Sequence, residues 1–324
     1  MQRAGPPCRV AVCLLFGLLP AALTAVLQAG QTRPDGPECG LNQGASYRYQ
    51  VRVDLVSLFA TVHDSAGRLV TNLRREDFIL YDNGERQSIS QFSREYMPLS
   101  VLILLDTSGS MYGAKLDNAK KSLIQFLRRL NRGDEAMLVT FQTRPHVMQR
   151  FTQDLGMVQR YLKRMEGNGS TALYDTIMYA LDQSASSVNR RRALLLISDG
   201  INTYGRTPLD ETIAQLRRRG VELFAIGVET DLPEDFEHRA VTRSVLNRLT
   251  ESAGGETFIV RQPRELARVC SMISDRMHSQ YTLAYYPPKT PDRKWRTIHL
   301  EIRTPNLRIV PSKTGYFPAS EPRP

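Results

Sequence analysis

A carboxylate and two hydroxyls follow a buried apolar segment at alternate positions. The segment Val101 to Leu105 reads V-L-I-L-L, and directly after it come Asp106, Ser108 and Ser110. In extended backbone the side chains of residues i, i+2 and i+4 point the same way, so these oxygen atoms converge. Carboxylate and hydroxyl oxygens are the ligands that hard cations prefer. The spacing therefore predicts a site for Mg²⁺, with Mn²⁺ or Ca²⁺ as alternatives.

Two later segments carry matching groups. The apolar segment Ala193 to Ile197 ends in Ser198 and Asp199, and a glycine-rich turn delivers Thr171 just before a predicted helix. In a parallel sheet covered by helices, ligands bind beyond the carboxyl ends of the strands, where both aspartates fall. An interpretation without an ion also stands, because Ser110 and Thr171 suit helix capping and Asp199 suits a turn.

The order and setting of these groups resemble the metal-ion-dependent adhesion site of von Willebrand factor type A domains. The residues that correspond to that site are Asp106, Ser108, Ser110, Thr171 and Asp199. The resemblance implies that the two aspartates act partly through bound waters, which leaves the ion electropositive. It also implies that an Asp or Glu of a partner protein completes the coordination.

The elements around the site alternate between strands and helices from Pro98 onward. A helical apolar face over 115–130 and a predicted closing helix over 263–277 alternate with apolar strands such as 136–141 and 221–228. This alternation is typical of right-handed βαβ crossovers. We therefore expect an α/β fold with a doubly wound, mostly parallel sheet, which is the Rossmann-like architecture that the resemblance also implies.

Both ends of the chain show a different pattern. Residues 47–61 alternate as a half-buried strand does, and 295–302 is also predicted as a strand. Asp82–Gly84 (D-N-G) predicts a hairpin that returns through 87–92. We expect a surface position for His63, which lies beside another turn. Because neither β segment has enough strands to be stable alone, we predict that the two form one small β-sheet or sandwich.

These patterns divide the chain into five predicted parts. They are a signal peptide over 1–29, a linker over 30–45, an N-terminal β segment over 46–96, a type A domain over 97–280, and a C-terminal β segment over 281–324 that packs with 46–96. The layout resembles exported type A domain proteins of Acidobacteria-type bacteria. That resemblance depends on the stretch Arg74 to Glu85, the metal loop and the stretch Lys294 to Pro318.

The N-terminus predicts export. Arg3 and Arg9 precede the almost wholly apolar run Val10 to Leu27, as in a secretory signal peptide. The run approaches the length of a membrane span, so an uncleaved anchor is the alternative, and only then would the protein contact a membrane. We expect a periplasmic, cell-envelope or secreted protein. Cys39 and Cys270 remain after cleavage, and an oxidising compartment permits either a disulfide or two free thiols.

Composition and motifs narrow the function. The formal charge is +10, but the arginine runs at 190–192 and 217–219 each precede a strand. We interpret them as solvated faces, not as a nucleic-acid site. A G-x-S-x-G motif and a P-loop lysine are absent from the sequence.

We predict a non-enzymatic protein-binding module of the adhesion or scaffold type. One alternative is a Mg²⁺-dependent phosphatase of the haloacid-dehalogenase type with Asp106 as nucleophile. That chemistry needs a second acid two residues later, where the chain has Ser108. The other alternative is a structural envelope protein.

Overall fold

The computed structural model of the protein describes residues 55–167, 169–199, 202–229, 236–288 and 294–318. The predicted signal peptide, the linker with Cys39 and the first residues of the N-terminal β segment lie outside this part of the chain. Among the described residues, no helix combines the length and the apolar character that a membrane crossing requires.

Fourteen strands and six α-helices follow one another along the described chain. The strands are β1 (Val56–His63), β2 (Phe78–Asp82), β3 (Glu85–Gln87), β4 (Gln91–Ser93), β5 (Leu99–Asp106), β6 (Glu135–Phe141), β7 (Pro145–Thr152), β8 (Arg191–Ser198), β9 (Glu222–Val228), β10 (Glu256–Val260), β11 (Tyr281–Tyr285), β12 (Arg296–Ile302), β13 (Arg308–Pro311) and β14 (Gly315–Tyr316). The helices are α1 (Ala114–Leu127), α2 (Leu155–Lys163), α3 (Leu173–Gln183), α4 (Leu209–Arg219), α5 (Phe236–Ala253) and α6 (Pro263–His278).

The central sheet has six strands in the order β10-β9-β8-β5-β6-β7. All neighbours pair in parallel except β7, which is antiparallel to β6 and lies at the edge. All eight residues of β5 are buried, which explains why that strand shows no polar alternation. The predicted doubly wound, mostly parallel sheet is confirmed.

Three helices cover each face of this sheet. Side chains of α1, α2 and α6 share one apolar core with the sheet, and side chains of α3, α4 and α5 share the other. The helix α5 begins at Phe236 and ends at Ala253. Cys270 of α6 is fully buried and forms no disulfide with another described residue. Cys39 lies outside the described residues, so both alternatives for this pair stay open.

The two ends of the chain join in a β-sandwich. One sheet has the order β13-β1-β11-β4 and the other β14-β12-β2-β3, so each combines N-terminal and C-terminal strands. Apolar side chains of β1, β2, β11 and β12 share one core. The predicted sandwich is therefore confirmed, but the return strand predicted over 87–92 is divided between the two sheets as β3 and β4. The short strand β14 was not predicted.

Two polar residues of the sandwich are buried more deeply than their sequence context indicates. Asp82 is fully buried and accepts hydrogen bonds from Tyr285 Oη (2.9 Å), Tyr316 Oη (2.9 Å) and Arg296 Nε (2.7 Å). His63 pairs with Arg308 of β13 and is only 5% exposed, so the predicted surface position is wrong. Burial lowers the pKa of His63 below its ordinary value.

Candidate metal site

The first loop of the site leaves the carboxyl end of β5. Asp106 is the last residue of the strand, and one of its oxygens (Oδ1) accepts the backbone N–H of Ser108 at 2.8 Å. A 3₁₀ turn over Gly109–Met111 then leads to Gly113 and α1. Ser108 Oγ lies 3.1 Å from Ser110 Oγ, so the turn holds the two predicted serine ligands side by side.

The tip of β8 meets this loop. Ser110 Oγ donates a hydrogen bond of 3.1 Å to Asp199 Oδ1. The strands β5 and β8 are parallel neighbours, which brings both carboxyl ends to one edge of the sheet. Asp106, Ser108, Ser110 and Asp199 therefore form one chain of contacts, although Asp199 is 93 residues from Asp106 in the sequence.

The threonine turn closes the third side of the site. The backbone N–H of Gly109 donates to the carbonyl of Gly169 at 2.8 Å, and Gly169 has a φ of 85°, which favours glycine. Thr171 is buried, and its carbonyl accepts the N–H groups of Thr203 (2.9 Å) and Tyr204 (3.0 Å). Backbone contacts thus hold the Thr171 turn between the serine loop and the segment after Asp199.

The electrostatics at Asp106 fit a bound cation. Its carboxylate is fully buried, and its second oxygen (Oδ2) accepts the Ser198 hydroxyl at 2.6 Å. Both groups that donate to this carboxylate, the Ser198 hydroxyl and the Ser108 N–H, are uncharged and do not neutralise it. Burial raises the pKa of Asp106 to about 6, and the nearby charge of Asp199 acts in the same direction. A hard divalent cation would offset this buried negative charge, and two carboxylates with three hydroxyls are a donor set that Mg²⁺ accepts.

Comparison with known proteins places this arrangement in a family. The family model for the von Willebrand factor type A domain matches residues 100–270, which is more than half of the chain and contains all five predicted site residues. The chain belongs to the von Willebrand factor type A domain family. Type A domains generally mediate protein–protein interactions.

The relatives match the type A region at low identity. Human inter-alpha-trypsin inhibitor heavy chain H4 is 24% identical over 155 residues, which cover 43% of this chain and 17% of that protein. An uncharacterized protein of Synechocystis is 22% identical over 187 residues, which cover 56% of this chain and 42% of that protein. The chain therefore spans less than half the length of either relative.

Solved structures give similar matches. A von Willebrand factor type A structure from Catenulispora acidiphila has a TM-score of 0.49 at 13% identity, and the match covers 83% of this chain and 76% of that one. The structure of BatB from Bacteroides thetaiotaomicron has a TM-score of 0.46 at 19% identity, and the match covers 55% of this chain and 98% of that one.

Two residues at the edge of this type A domain site were missed from the sequence. Ser198 binds Asp106, and its position at a strand tip beside Asp199 is the signal that could have identified it. Lys115 donates from Nζ to the carbonyl of Ser110 (3.0 Å) and to Asp199 Oδ2 (3.2 Å). The sequence indicates only that Lys115 begins a helix, so no local signal points to this contact.

Exposed aromatic side chains flank the type A domain site. Tyr112 follows the serine loop and is 72% exposed, and Tyr204, whose N–H binds the Thr171 carbonyl, is 56% exposed. Most large apolar side chains near this edge are buried in the two cores. Aromatic residues are enriched among those that dominate the energy of protein interfaces.

Proposed function

We propose that this chain is an exported, non-enzymatic protein-binding module that captures an acidic residue of its partner through a metal ion. Asp106, Ser108, Ser110, Thr171 and Asp199 would hold Mg²⁺, with Mn²⁺ or Ca²⁺ as substitutes. The observation that carries the proposal is the chain of hydrogen-bond contacts that links the buried Asp106 through Ser108 and Ser110 to Asp199 at the carboxyl edge of the sheet.

The donor set explains why a partner carboxylate would be recruited. Ser108, Ser110 and Thr171 contribute neutral oxygens, so they do not cancel the charge of a divalent ion. The bound ion supplies a Lewis-acidic centre that attracts a further carboxylate. Tyr112 and Tyr204, whose backbones adjoin the serine loop and the Thr171 turn, are exposed and would offer apolar contact area to a partner.

The surroundings of Asp106 favour a ligand role over a nucleophilic one. The carboxylate is fully buried, and both of its oxygens accept hydrogen bonds. Phosphatase chemistry of this type needs a second acid two residues after the nucleophile, and this chain has Ser108 at that position. The Mg²⁺-dependent phosphatase is therefore the weaker candidate.

A peptide-display experiment tests the capture mechanism. The purified protein is immobilised, a random peptide library is bound in Mg²⁺, and bound clones are eluted with EDTA. We expect the enriched peptides to share an Asp or Glu whose replacement by Asn or Gln abolishes binding. Equal retention of the peptides in EDTA and in Mg²⁺ would overturn the proposal.

Two serine variants provide a matched comparison in the same assay. Ser110→Ala removes a proposed ligand that is exposed, so the fold should be kept. Ser186→Ala removes an exposed hydroxyl whose hydrogen bond within the described part of the chain goes to the carbonyl of Gln183, the last residue of α3. We expect peptide binding to fall at least tenfold for Ser110→Ala alone. Hydrolysis of p-nitrophenyl phosphate in Mg²⁺ that is lost in Asp106→Asn would instead support the phosphatase.

Export is tested separately from metal binding. We expect mass spectrometry of the mature protein to find an N-terminus after the apolar run, near Ala25 or Ala29, in the envelope or the medium. A soluble cytosolic protein that retains Met1 would contradict export and leave the metal site untouched.

A further inference from the structure

A lysine occupies an electrostatically unfavourable position beside the candidate metal site. Lys115 is the second residue of α1, which begins at Ala114 after the N-cap Gly113. The N-terminus of a helix carries a partial positive charge, so a cation in the first turn is disfavoured. Contacts between the Lys115 ammonium group and negative or carbonyl oxygens would offset this unfavourable interaction with the helix dipole.

The compensating contacts are made with two proposed metal ligands. Lys115 Nζ lies 3.0 Å from the Ser110 carbonyl oxygen and 3.2 Å from Asp199 Oδ2. The other carboxylate oxygen of Asp199 accepts the Ser110 hydroxyl. The ion pair is largely sheltered, because the side chains of Lys115 and Asp199 are 25% and 13% exposed. The ammonium group thus neutralises a carboxylate that a divalent ion would also use.

We propose that Lys115 competes with the divalent ion for Asp199 and thereby weakens metal binding. This inference rests on the proposed metal site and adds the residue that sets its affinity. In this structure the ammonium group pairs with Asp199, whose carboxylate lies beside Ser110. With the ion bound, two positive charges of the metal face the charge of the lysine.

The contact of 3.2 Å between Lys115 Nζ and Asp199 Oδ2 sets the scale of this effect. A divalent ion at about 6 Å from the ammonium group would be repelled enough in water to weaken its binding about tenfold. Lys115→Met keeps the aliphatic stem and removes the charge. It should therefore tighten divalent binding about tenfold.

The test measures Mn²⁺ binding to the full chain by electron paramagnetic resonance of the free ion. Lys115→Met is compared with Lys115→Arg, which keeps the charge, and with Lys121→Met, which removes an exposed charge farther along the same helix. We expect the Mn²⁺ dissociation constant to fall about tenfold for Lys115→Met. The other two variants should stay within about threefold of wild type.

The outcomes separate this inference from the proposed function. Unchanged or weaker Mn²⁺ binding by Lys115→Met, with normal binding by wild type, overturns the role of Lys115 and leaves the metal site standing. Equal tightening in Lys121→Met also overturns it, because the effect would then reflect net charge alone. A wild-type protein that binds no Mn²⁺ overturns both.

Discussion

Replacing Asp106 with asparagine should stabilise the metal-free protein while abolishing metal binding. Asp106 is fully buried, and its ordinary pKa of 3.8 is raised to about 6, mainly by burial. Asparagine has nearly the same shape and carries no charge. The substitution therefore separates the electrostatic cost of the carboxylate from its packing.

The pKa shift gives the magnitude. Keeping a carboxylate with a pKa of about 6 ionised in the folded protein at pH 7.5 costs about 3 kcal/mol relative to the unfolded chain. Losing the carboxylate that accepts the Ser198 hydroxyl destabilises the variant by about 1 kcal/mol, which offsets part of this gain. We expect Asp106→Asn to raise the free energy of unfolding in EDTA by about 2 kcal/mol at pH 7.5.

The sign of the pH dependence follows from the same values. The unfolded residue loses its proton near pH 3.8 and the folded residue only near pH 6. The stabilising contribution of this proton is therefore fully present below pH 3.8 and is lost as the pH rises through 6. The advantage of Asp106→Asn should grow from about 0.5 kcal/mol at pH 5 to about 2 kcal/mol at pH 7.5.

Urea denaturation in EDTA and in Mg²⁺ measures both effects. Saturating Mg²⁺ should stabilise wild type, by about 2.7 kcal/mol at a hundred times the dissociation constant, and leave Asp106→Asn unchanged. A variant that is less stable than wild type in EDTA at pH 7.5 would refute the electrostatic argument. Equal stabilisation of both proteins by Mg²⁺ would show that Asp106 is not a ligand.

Three further predictions concern the buried ion pair of the sandwich, the thiol of Cys270 and the exposed tyrosines. Asp82→Asn should lower the free energy of unfolding, measured by urea denaturation, by about 3 kcal/mol, because the buried Arg296 loses its carboxylate partner. A loss within about 0.5 kcal/mol, the size of a surface effect, would show that this ion pair does not stabilise the sandwich. Burial raises the pKa of Cys270 to about 12, so its thiol should resist alkylation by iodoacetamide at pH 8 in the folded protein. In guanidinium with reductant the thiol should react, and peptide mass mapping measures both results. Rapid alkylation of Cys270 in the folded protein would contradict its burial. Tyr112→Ala and Tyr204→Ala should each weaken binding of an EDTA-eluted peptide about tenfold. Tyr286→Ala should not, because Tyr286, which is 54% exposed, lies next to β11 of the sandwich. Equal losses in all three variants would refute a binding role for Tyr112 and Tyr204.

The part of the site that lies within one loop could be predicted from the sequence. An apolar strand that ends in alternating polar residues is a local pattern, and β5 with Asp106, Ser108 and Ser110 follows it. The tip of β8 repeats the pattern, and the parallel pairing of β5 and β8 brings the two tips together. Strand order is therefore enough to gather these residues.

Contacts between distant elements could not be predicted in this way. Lys115 meets Asp199 only because the first turn of α1 lies beside the tip of β8. Asp82 reads locally as a hairpin residue, and its burial depends on β11, β12 and β14, more than 200 residues later. His63 is buried for the same reason, since β13 pairs with the end of β1.

The division of the predicted return strand has a similar origin. After β3 the chain leaves one sheet and enters the other as β4. Between the two strands, the N–H and the hydroxyl of Ser90 both donate to the carbonyl of Ala284 in β11. A periodicity of two continues through such a switch, because both strands keep one face on the shared core. The sequence pattern alone therefore cannot locate the switch.

The most direct measurement is anomalous diffraction from crystals grown with Mn²⁺ and an acidic peptide selected by EDTA elution. We expect one anomalous peak surrounded by Asp106, Ser108, Ser110, Thr171 and Asp199, with a peptide carboxylate on its exposed side. A peak elsewhere, or a peptide bound with no Mn²⁺ between these residues and its carboxylate, would contradict it.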